Sequence, residues 1–323
     1  VAVTGEGGNS TKEAVWADVV GSTSKTKEVE AKIAIRSSQL TFVARSTVTE
    51  GSSPNEARFR VVHSDWEAPK INLMHDVSKW IPGDKVVVAS TDFDWRQAEV
   101  KTILPCSDCS PYQVKLEGEF HYTHFGEVTF GVDERGEVGI LTRNFRIEGT
   151  LEDKCYSNND REKMLCDYYN RDTFGGHLKV LLNGTAHLQG FEAVHLGQQA
   201  NLGRYPIHFH LCDDVSGMYV KQVSVVDSLS RCVTIHTSDG LEVAEMVCYM
   251  HLGHGIFMED SAEQNNYIHH NLVLGTVAGT LTASDMPREW CPYEGKDVCN
   301  MLASYWITHP NNILTDNVAA GCD

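Results

Sequence analysis

The second half of the chain alternates short apolar runs with polar corners, and the alternation repeats. Val220-Lys-Gln-Val223 lines up with Val243-Ala-Glu-Met246 at a spacing of 23 residues. At that spacing Leu229 meets Leu252, Val233 meets Ile256, Ile235 meets Met258 and His236 meets Glu259. In the next coil the spacing is 25, with Val243 against Ile268 and Ile256 against Leu281. Asn311–Val318 echoes Asn265–Leu272 at 46, read as two coils of 23. Going backwards, His210 meets His236 at 26, with Asp213–Gly217 as the loop that absorbs the extra length. Apolar matches at nearly one period, with length differences confined to polar segments, are the signature of a solenoid. The pattern predicts an all-β chain built as a right-handed parallel β-helix. A β-sandwich with coincidental spacing is the competing architecture. The coils are clearest over residues 177–323, with 286–303 as a loop inserted between coils.

Upstream the pattern changes. From residue 64 short strands follow one another at close spacing: Lys70–Met74, Lys85–Ser90, Gln113–Leu116, Val138–Leu141 and Asn144–Glu148. Gly and Pro break them, as in all-β folds. This stretch reads as a β-rich region leading into the β-helix, so 64–323 forms one domain. Residues 1–63 read as a small α+β segment. A helix is expected around Ala14–Val19, capped by Asn9-Ser-Thr11, with strands at Glu30–Ile35 and Leu40–Ala44 and a polar loop at Gly51–Asn55.

The coil register turns scattered ionisable residues into columns. His208, Thr234, Phe257 and Thr282 form one, and His210, His236, Glu259 and Ser284 the next on the same face. Asp260 meets Asp285 one step on. Two residues apart in a strand, His208 and His210 point the same way. Glycoside cleavage uses two carboxyl groups flanking the scissile bond. Glu259 with Asp260, and Asp213 and Asp214 nearby, are the candidates, and His208, His210 or His236 can act as acid or base instead. Stacked Asp260 and Asp285 would raise one pKa. A histidine ladder that only satisfies hydrogen bonds at a turn is the structural alternative.

A metal reading competes. His208, His210 and His236 with Asp213 offer ligands for zinc or another transition metal. Calcium prefers oxygen and points to Asp213, Asp214, Asp239, Asp260 and Asp285. Arg204 and Arg231 precede the histidine-bearing strands and are candidates to clamp substrate carboxylates; internal pairing with nearby acids is the other reading. Tyr205, Tyr249 and Trp306 offer rings to stack on sugars, whereas Phe209 reads as core. His177, His187, His195, His251, His254, His269 and His270 read as structural or solvated.

Composition narrows the classes. The chain has 323 residues, 27 basic against 44 acidic, and a net charge of −17. That balance argues against nucleic acid as a partner. It makes an anionic ligand depend on a local basic cleft or a bridging cation. Among the 10 cysteines, Cys106 and Cys109, Cys155 and Cys166, and Cys291 and Cys299 form local pairs in loop-like surroundings. They read as disulfides of an oxidising compartment; a redox or half-zinc role for Cys106-Ser-Asp-Cys109 ranks below that. Asn9-Ser-Thr11 and Asn183-Gly-Thr185 are glycosylation sequons. No apolar run reaches the length of a membrane span. Both termini read as mid-domain, which predicts a piece of a larger extracellular protein.

Several motifs also resemble the cell-migration-inducing and cell-surface hyaluronidase family. They are Trp80–Asp84, Ala89–Asp92, Leu104–Cys109, Glu137–Asn144, Asp172–His177, Gly203–Leu211, Ser230–His236, Leu252–His254 with Phe257–Asp260, and His309–Asn312. The resemblance covers residue 70 to the end. More weakly, residues 1–60 resemble the last part of the GG-type lectin domain that precedes the β-helix in that family. The resemblance implies a secreted or cell-surface protein that depolymerises hyaluronan or a related glycosaminoglycan, with calcium as a possible cofactor. It also implies an alternative, a non-enzymatic carbohydrate-binding or adhesive β-helix like that of the fibrocystin-like receptors. The family's G8 domain and many of its coils have no counterpart in this sequence, so a dependence of catalysis on those parts would leave this stretch inactive by itself.

Overall fold

The computed structural model describes residues 68–150, 174–198, 201–277 and 302–322, and the backbone of four strands before them. Two compact units result, Val1–Ala68 and Pro69–Asp323. In the first, Trp16–Val19 pairs antiparallel with Ala57–Arg60, and Lys27–Ile35 with Ser38–Ser46. The helix expected around Ala14–Val19 is therefore corrected to a strand over Trp16–Val19. Trp16 and Val19 suit a pleated backbone, and the hydrogen-bond partner lies too far along the chain for a local pattern to reveal. The Asn9 sequon, its proposed cap and the Gly51–Asn55 loop lie outside the described residues.

The second unit opens with a five-stranded antiparallel sheet in the order Val138–Ile140, Lys85–Val88, Glu99–Leu104, Gln113–Leu116, Lys70–Asn72. Val86, Val88, Ile103, Val114 and Leu116 pack together on one side. Val87, Ala89 and Leu141 pack on the other, against Val247, Leu272 and Leu274 of the solenoid. Burial on both faces explains the unbroken apolar run from Val86 to Ala89. The approach is close at Gly139, where an added Cβ would lie 2.9 Å from Val247 Cγ1.

One charge group is buried in this sheet. The Glu99 carboxylate, 7% exposed, pairs with Lys101 at 2.8 Å and with His124 at 3.2 Å, and accepts from His121 N at 2.8 Å. Burial alone would raise its pKa. The bonds from Lys101, Tyr122 N, His124 and His121 N outweigh burial and hold it below the usual glutamate value.

The solenoid has three parallel sheets. The covered face, under the antiparallel sheet, stacks Phe145–Glu148, Phe191–Val194, Ser224–Ser228, Val247–Leu252, Leu272–Val277 and Val318–Cys322. A second face stacks Leu178–Leu181, Ile207–Asp214, Val233–Asp239, Ile256–Met258 and Tyr305–Trp306. The third stacks His187–Gln189, Tyr219–Lys221, Glu242–Ala244, Tyr267–His269 and Ile313–Thr315. The architecture is a parallel β-helix, as the repeat predicts. Its core is the inward set, including Phe209, Ile235, Met258, Val243, Ile268, Cys248 and Val273.

Corners stack as well as strands. Gln222, Glu245, His270 and Asp316 hold φ of 54°, 52°, 53° and 53°, a left-handed position that recurs at the same corner of successive coils. Asn266 Oδ1 accepts from Leu241 N at 2.8 Å, and Asn312 Oδ1 from Asn266 N at 2.9 Å. Asn271 and Asn317 repeat the device at 3.0 and 3.2 Å. These amides satisfy corner N–H groups that no strand partner reaches.

The register holds at Val220–Val243, Val233–Ile256, Val243–Ile268 and His210–His236. It fails in one place. Ile256 sits on Tyr305, not on Leu281, and Phe257 sits on Trp306. Tyr267 lies directly on Ile313, so the spacing of 46 is one coil with a long insertion, not two coils of 23. The insertion comes before the strand on the second face, not after it. Leu281, Thr282, Ser284 and Asp285 lie outside the described residues. The extra length near Asp213 divides in two. The register shifts between His210 and Asp213, and the rest is taken up between Asp214 and Tyr219. Leu211 and Asp213 take φ of 53° and 55° at this irregularity.

Cys106 and Cys109 are bridged. A second bridge, Cys232–Cys248, crosses the solenoid core and was not legible from the local cysteine spacing. Cys155, Cys166, Cys291 and Cys299 lie outside the described residues. Asn183 is exposed on a turn, with φ of 67°.

Two outcomes follow for stability. Ile235→Ala empties a fully buried core position and is expected to cost about 2–5 kcal/mol in urea unfolding. The lowered Glu99 pKa contributes stability that is present above the ordinary glutamate pKa and lost as pH falls through the folded value. Glu99→Gln should therefore lower stability at neutral pH and flatten the acid limb below about pH 4.5. Unchanged unfolding midpoints between pH 3 and 7 would contradict that account.

Candidate active site

On the second face, inward and outward residues alternate. Ile207, Phe209, Val233, Ile235, Ile256 and Met258 enter the core, so His208, His210, Thr234, His236 and Phe257 point outward. Parallel pairing sets His208 on Thr234, Thr234 on Phe257, and His210 on His236. Glu259 follows in the second column, its N–H bonded to Ile235 O at 3.0 Å.

The column is nevertheless not open to solvent along its length. His208 is fully buried, because Tyr205 packs on its ring at 4.8 Å. Arg231 is 2% exposed, and its guanidinium lies 4.0 Å from the Tyr205 ring and 3.7 Å from the Phe257 ring. These groups converge on one carboxylate. Glu259, with its side chain 8% exposed, accepts from Tyr205 Oη at 3.2 Å. Its Oε2 stands 3.5 Å from Arg231, 3.7 Å from His236 Nδ1 and 4.0 Å from His208 Nε2. The cation of Arg231 offsets the cost of burying that charge.

The histidines have defined orientations. His208 Nδ1 donates to Gly203 O at 3.2 Å, since a carbonyl can only accept. Burial, with the nearby charges of Lys179, His210 and His236, pushes the pKa of His208 down to about 3 against the opposing pull of that bond. The ring is neutral at physiological pH, and the lone pair on Nε2 faces inward with no hydrogen-bond partner. His236 Nε2 lies 2.8 Å from Asp260 Oδ2, and its Nδ1 lies 2.9 Å from His210 Nδ1. Glu259 and Asp260 thus address opposite nitrogens of one imidazole. Burial and the His236 charge also lower the pKa of His210.

Sequence reasoning placed Glu259, Asp260, His208, His210 and His236 together, and the fold brings them together. It placed Arg231 and Tyr205 against substrate; the structure buries both, and both contact Glu259. Arg204 is exposed, over the Phe174 ring at 4.8 Å and bonded to Gln198. Two residues were missed. Lys179 sits one rung from His208 in the same column. Glu263 is fully buried and accepts from Thr237 N at 3.0 Å and Asp260 N at 2.9 Å, fixing the loop that carries Asp260. The strand alternation of Leu178-Lys-Val-Leu181 carried the signal for Lys179. Nothing local distinguished Glu263 from a turn acid.

Three groups of ligating side chains converge among the described residues. Two of them contain cysteines held in disulfides; the third is His208, His210 and His236. No carboxylate cage for calcium forms there. Asp214 caps Ser216 N at 2.9 Å, Asp239 caps Gln264 N at 2.9 Å, Asp260 is held by His236 and Thr237, and Asp213 is exposed. Asp285 lies outside the described residues.

Comparison with known proteins agrees with the β-helix fold. Residues 173–323 match the CEMIP beta-helix family. Over that span the chain belongs to the CEMIP beta-helix family. A human cell surface hyaluronidase CEMIP2 is 43% identical over 303 residues, covering 88% of this chain and 21% of that protein. A human cell migration-inducing and hyaluronan-binding protein is 42% identical over 272 residues, covering 78% of this chain and 20% of that protein. Human Fibrocystin-L is 30% identical over 293 residues, covering 81% of this chain and 7% of that protein. The chain thus spans about a fifth of the two hyaluronan-related relatives. Within the CEMIP beta-helix portion lie Lys179, Tyr205, Arg231 and the whole histidine cluster.

The Glu259 environment can be tested by stability. Arg231→Met leaves the carboxylate buried without its cation and should cost about 3–5 kcal/mol. Arg231→Lys keeps the charge but loses planar stacking on two rings, and should cost less. Equal unfolding midpoints for both variants and the parent would contradict the buried pairing.

Proposed function

We propose that this chain is the β-helix of an extracellular or cell-surface protein that depolymerises hyaluronan or a closely related glycosaminoglycan by hydrolysis. The observation that carries the reading is the Glu259 carboxylate, buried and oriented by Tyr205 and Arg231 beside the His236–Asp260 pair. A carboxylate fixed in a low-dielectric wall is the kind of group that stabilises or attacks an oxocarbenium-like centre. Asp260, at the more exposed end of His236, supplies the second carboxyl group. The names of the relatives support hyaluronan as the polymer. Lys179 and the exposed Arg204 give an anionic polymer local positive charge on a chain of net charge −17. The two disulfides support an oxidising compartment.

A second reading follows from the Fibrocystin-L relative: a β-helix that binds carbohydrate without cutting it. Size analysis of high-molecular-mass hyaluronan, incubated with the full-length protein, separates the two. Depolymerisation is expected, with a loss of at least about 100-fold in Glu259→Gln and a comparable loss in Asp260→Asn. Cleavage by Glu259→Gln at the parental rate would overturn the site, and intact polymer with measurable binding would establish the second reading.

A further inference from the structure

The histidine cluster has a property that acid–base work does not require: its inward nitrogens are prepared to accept a cation. His208 is fixed by donating from Nδ1 to Gly203 O, and its buried Nε2 is left as a bare lone pair aimed into the cluster. His236 is fixed through Nε2 by Asp260 at 2.8 Å, which leaves Nδ1 facing inward. His210 Nδ1 faces His236 Nδ1 at 2.9 Å, so in the protein alone a proton must lie between two lone pairs. One ligating atom from each of the three rings lies within 4.8 Å of the others. Glu259 Oε2 adds an oxygen 3.7 Å from His236 Nδ1 and 4.0 Å from His208 Nε2.

We propose that His208 Nε2, His210 Nδ1 and His236 Nδ1 bind one divalent transition ion of the zinc class, with Glu259 Oε2 at the fourth corner. The proposal rests on the preceding reading only for the location of the reactive site; the ligand set stands on its own geometry. Zinc–nitrogen bonds of about 2.0–2.1 Å in a tetrahedron place neighbouring ligand atoms about 3.3 Å apart. The separations of 2.9, 3.7 and 4.0 Å bracket that value, and the three ring atoms all lie within 4.8 Å of one another. Three imidazoles and one carboxylate favour zinc or its first-row neighbours over calcium, which takes oxygen. The second shell is already built. Asp260 on His236 and the Gly203 carbonyl on His208 are the carboxylate and backbone acceptors that orient ligating imidazoles and set their tautomers. Binding would move the proton between His210 and His236 to His210 Nε2, so that both rings offer Nδ1 lone pairs as neutral imidazoles. The carboxylates of Glu259 and Asp260 bring negative charge that favours a dication against the opposing charges of Arg231 and Lys179.

The experiment uses zinc and cobalt as probes on the whole protein. After loading and exhaustive dialysis, elemental analysis should find one zinc per chain, and Co²⁺ should give the intense visible absorption of a four-coordinate site. His208→Gln and His236→Gln should each abolish the cobalt spectrum and lower affinity at least about 100-fold. Asp260→Asn, a partly exposed position outside the ligand set, should fold normally and lower affinity about 10- to 100-fold. His269→Gln, at a separate histidine pair, should change nothing. No bound metal after dialysis, or a stoichiometry and spectrum unchanged in His208→Gln, His236→Gln and Asp260→Asn alike, would overturn the site. Hyaluronan cleavage is measured separately. Metal bound without cleavage overturns the proposed function and leaves the site standing. Full cleavage by a protein shown to hold no metal does the reverse.

Discussion

The constraint on which this molecule depends is the fixed separation of hydrogen-bonded strands, about 4.8 Å between coils. Once the coils stack in parallel, residues of equal rung stand above one another. Apolar residues then line a continuous core, and polar residues form columns that no single coil could build. Asn266 on Asn312 and Asn271 on Asn317 use that spacing to satisfy corner amides. His210 on His236 uses the same spacing to bring two imidazole nitrogens within 2.9 Å. Structure and candidate chemistry therefore follow from one geometric rule.

The rule alone does not make a site, because outward columns of a β-helix ordinarily face water. Here the segment before the strand Ile207–Asp214 folds over the column and delivers Tyr205, while Arg231 arrives from the next coil. Together they bury His208 and the Glu259 side chain. Burial strips water from a carboxylate, and Arg231 and the Tyr205 hydroxyl replace part of what is lost. The outcome is a rigid, charged pocket in which positions are set by packing. Arg231 and Tyr205 are thus more informative as supports than as groups that meet substrate.

Much of this was legible in the residues. The spacing of 23 between Val220 and Val243, and of 26 between His210 and His236, survives in the observed register because apolar residues must enter the core once per coil. The coil that pairs Ile256 with Tyr305 was misread, since a repeat can be recognised while the position of an insertion inside it is hidden. Leu281 satisfied the period, but the strand that pairs with Ile256 and Phe257 lies at Tyr305–Trp306. The strand at Trp16–Val19 was read as a helix for a related reason: its partner at Ala57–Arg60 is remote in sequence.

The sequence by itself determined the period and the identity of the histidine and carboxylate column, because side-chain alternation and rung spacing are local arithmetic. Only the tertiary structure decided what covers that column. Whether Arg231 points to solvent or lies against the Tyr205 and Phe257 rings depends on contacts between coils. So do the Cys232–Cys248 bridge and the support that Glu263 gives to Asp260. Burial is a property of neighbours, and neighbours on different coils are set by stacking rather than by adjacency along the chain.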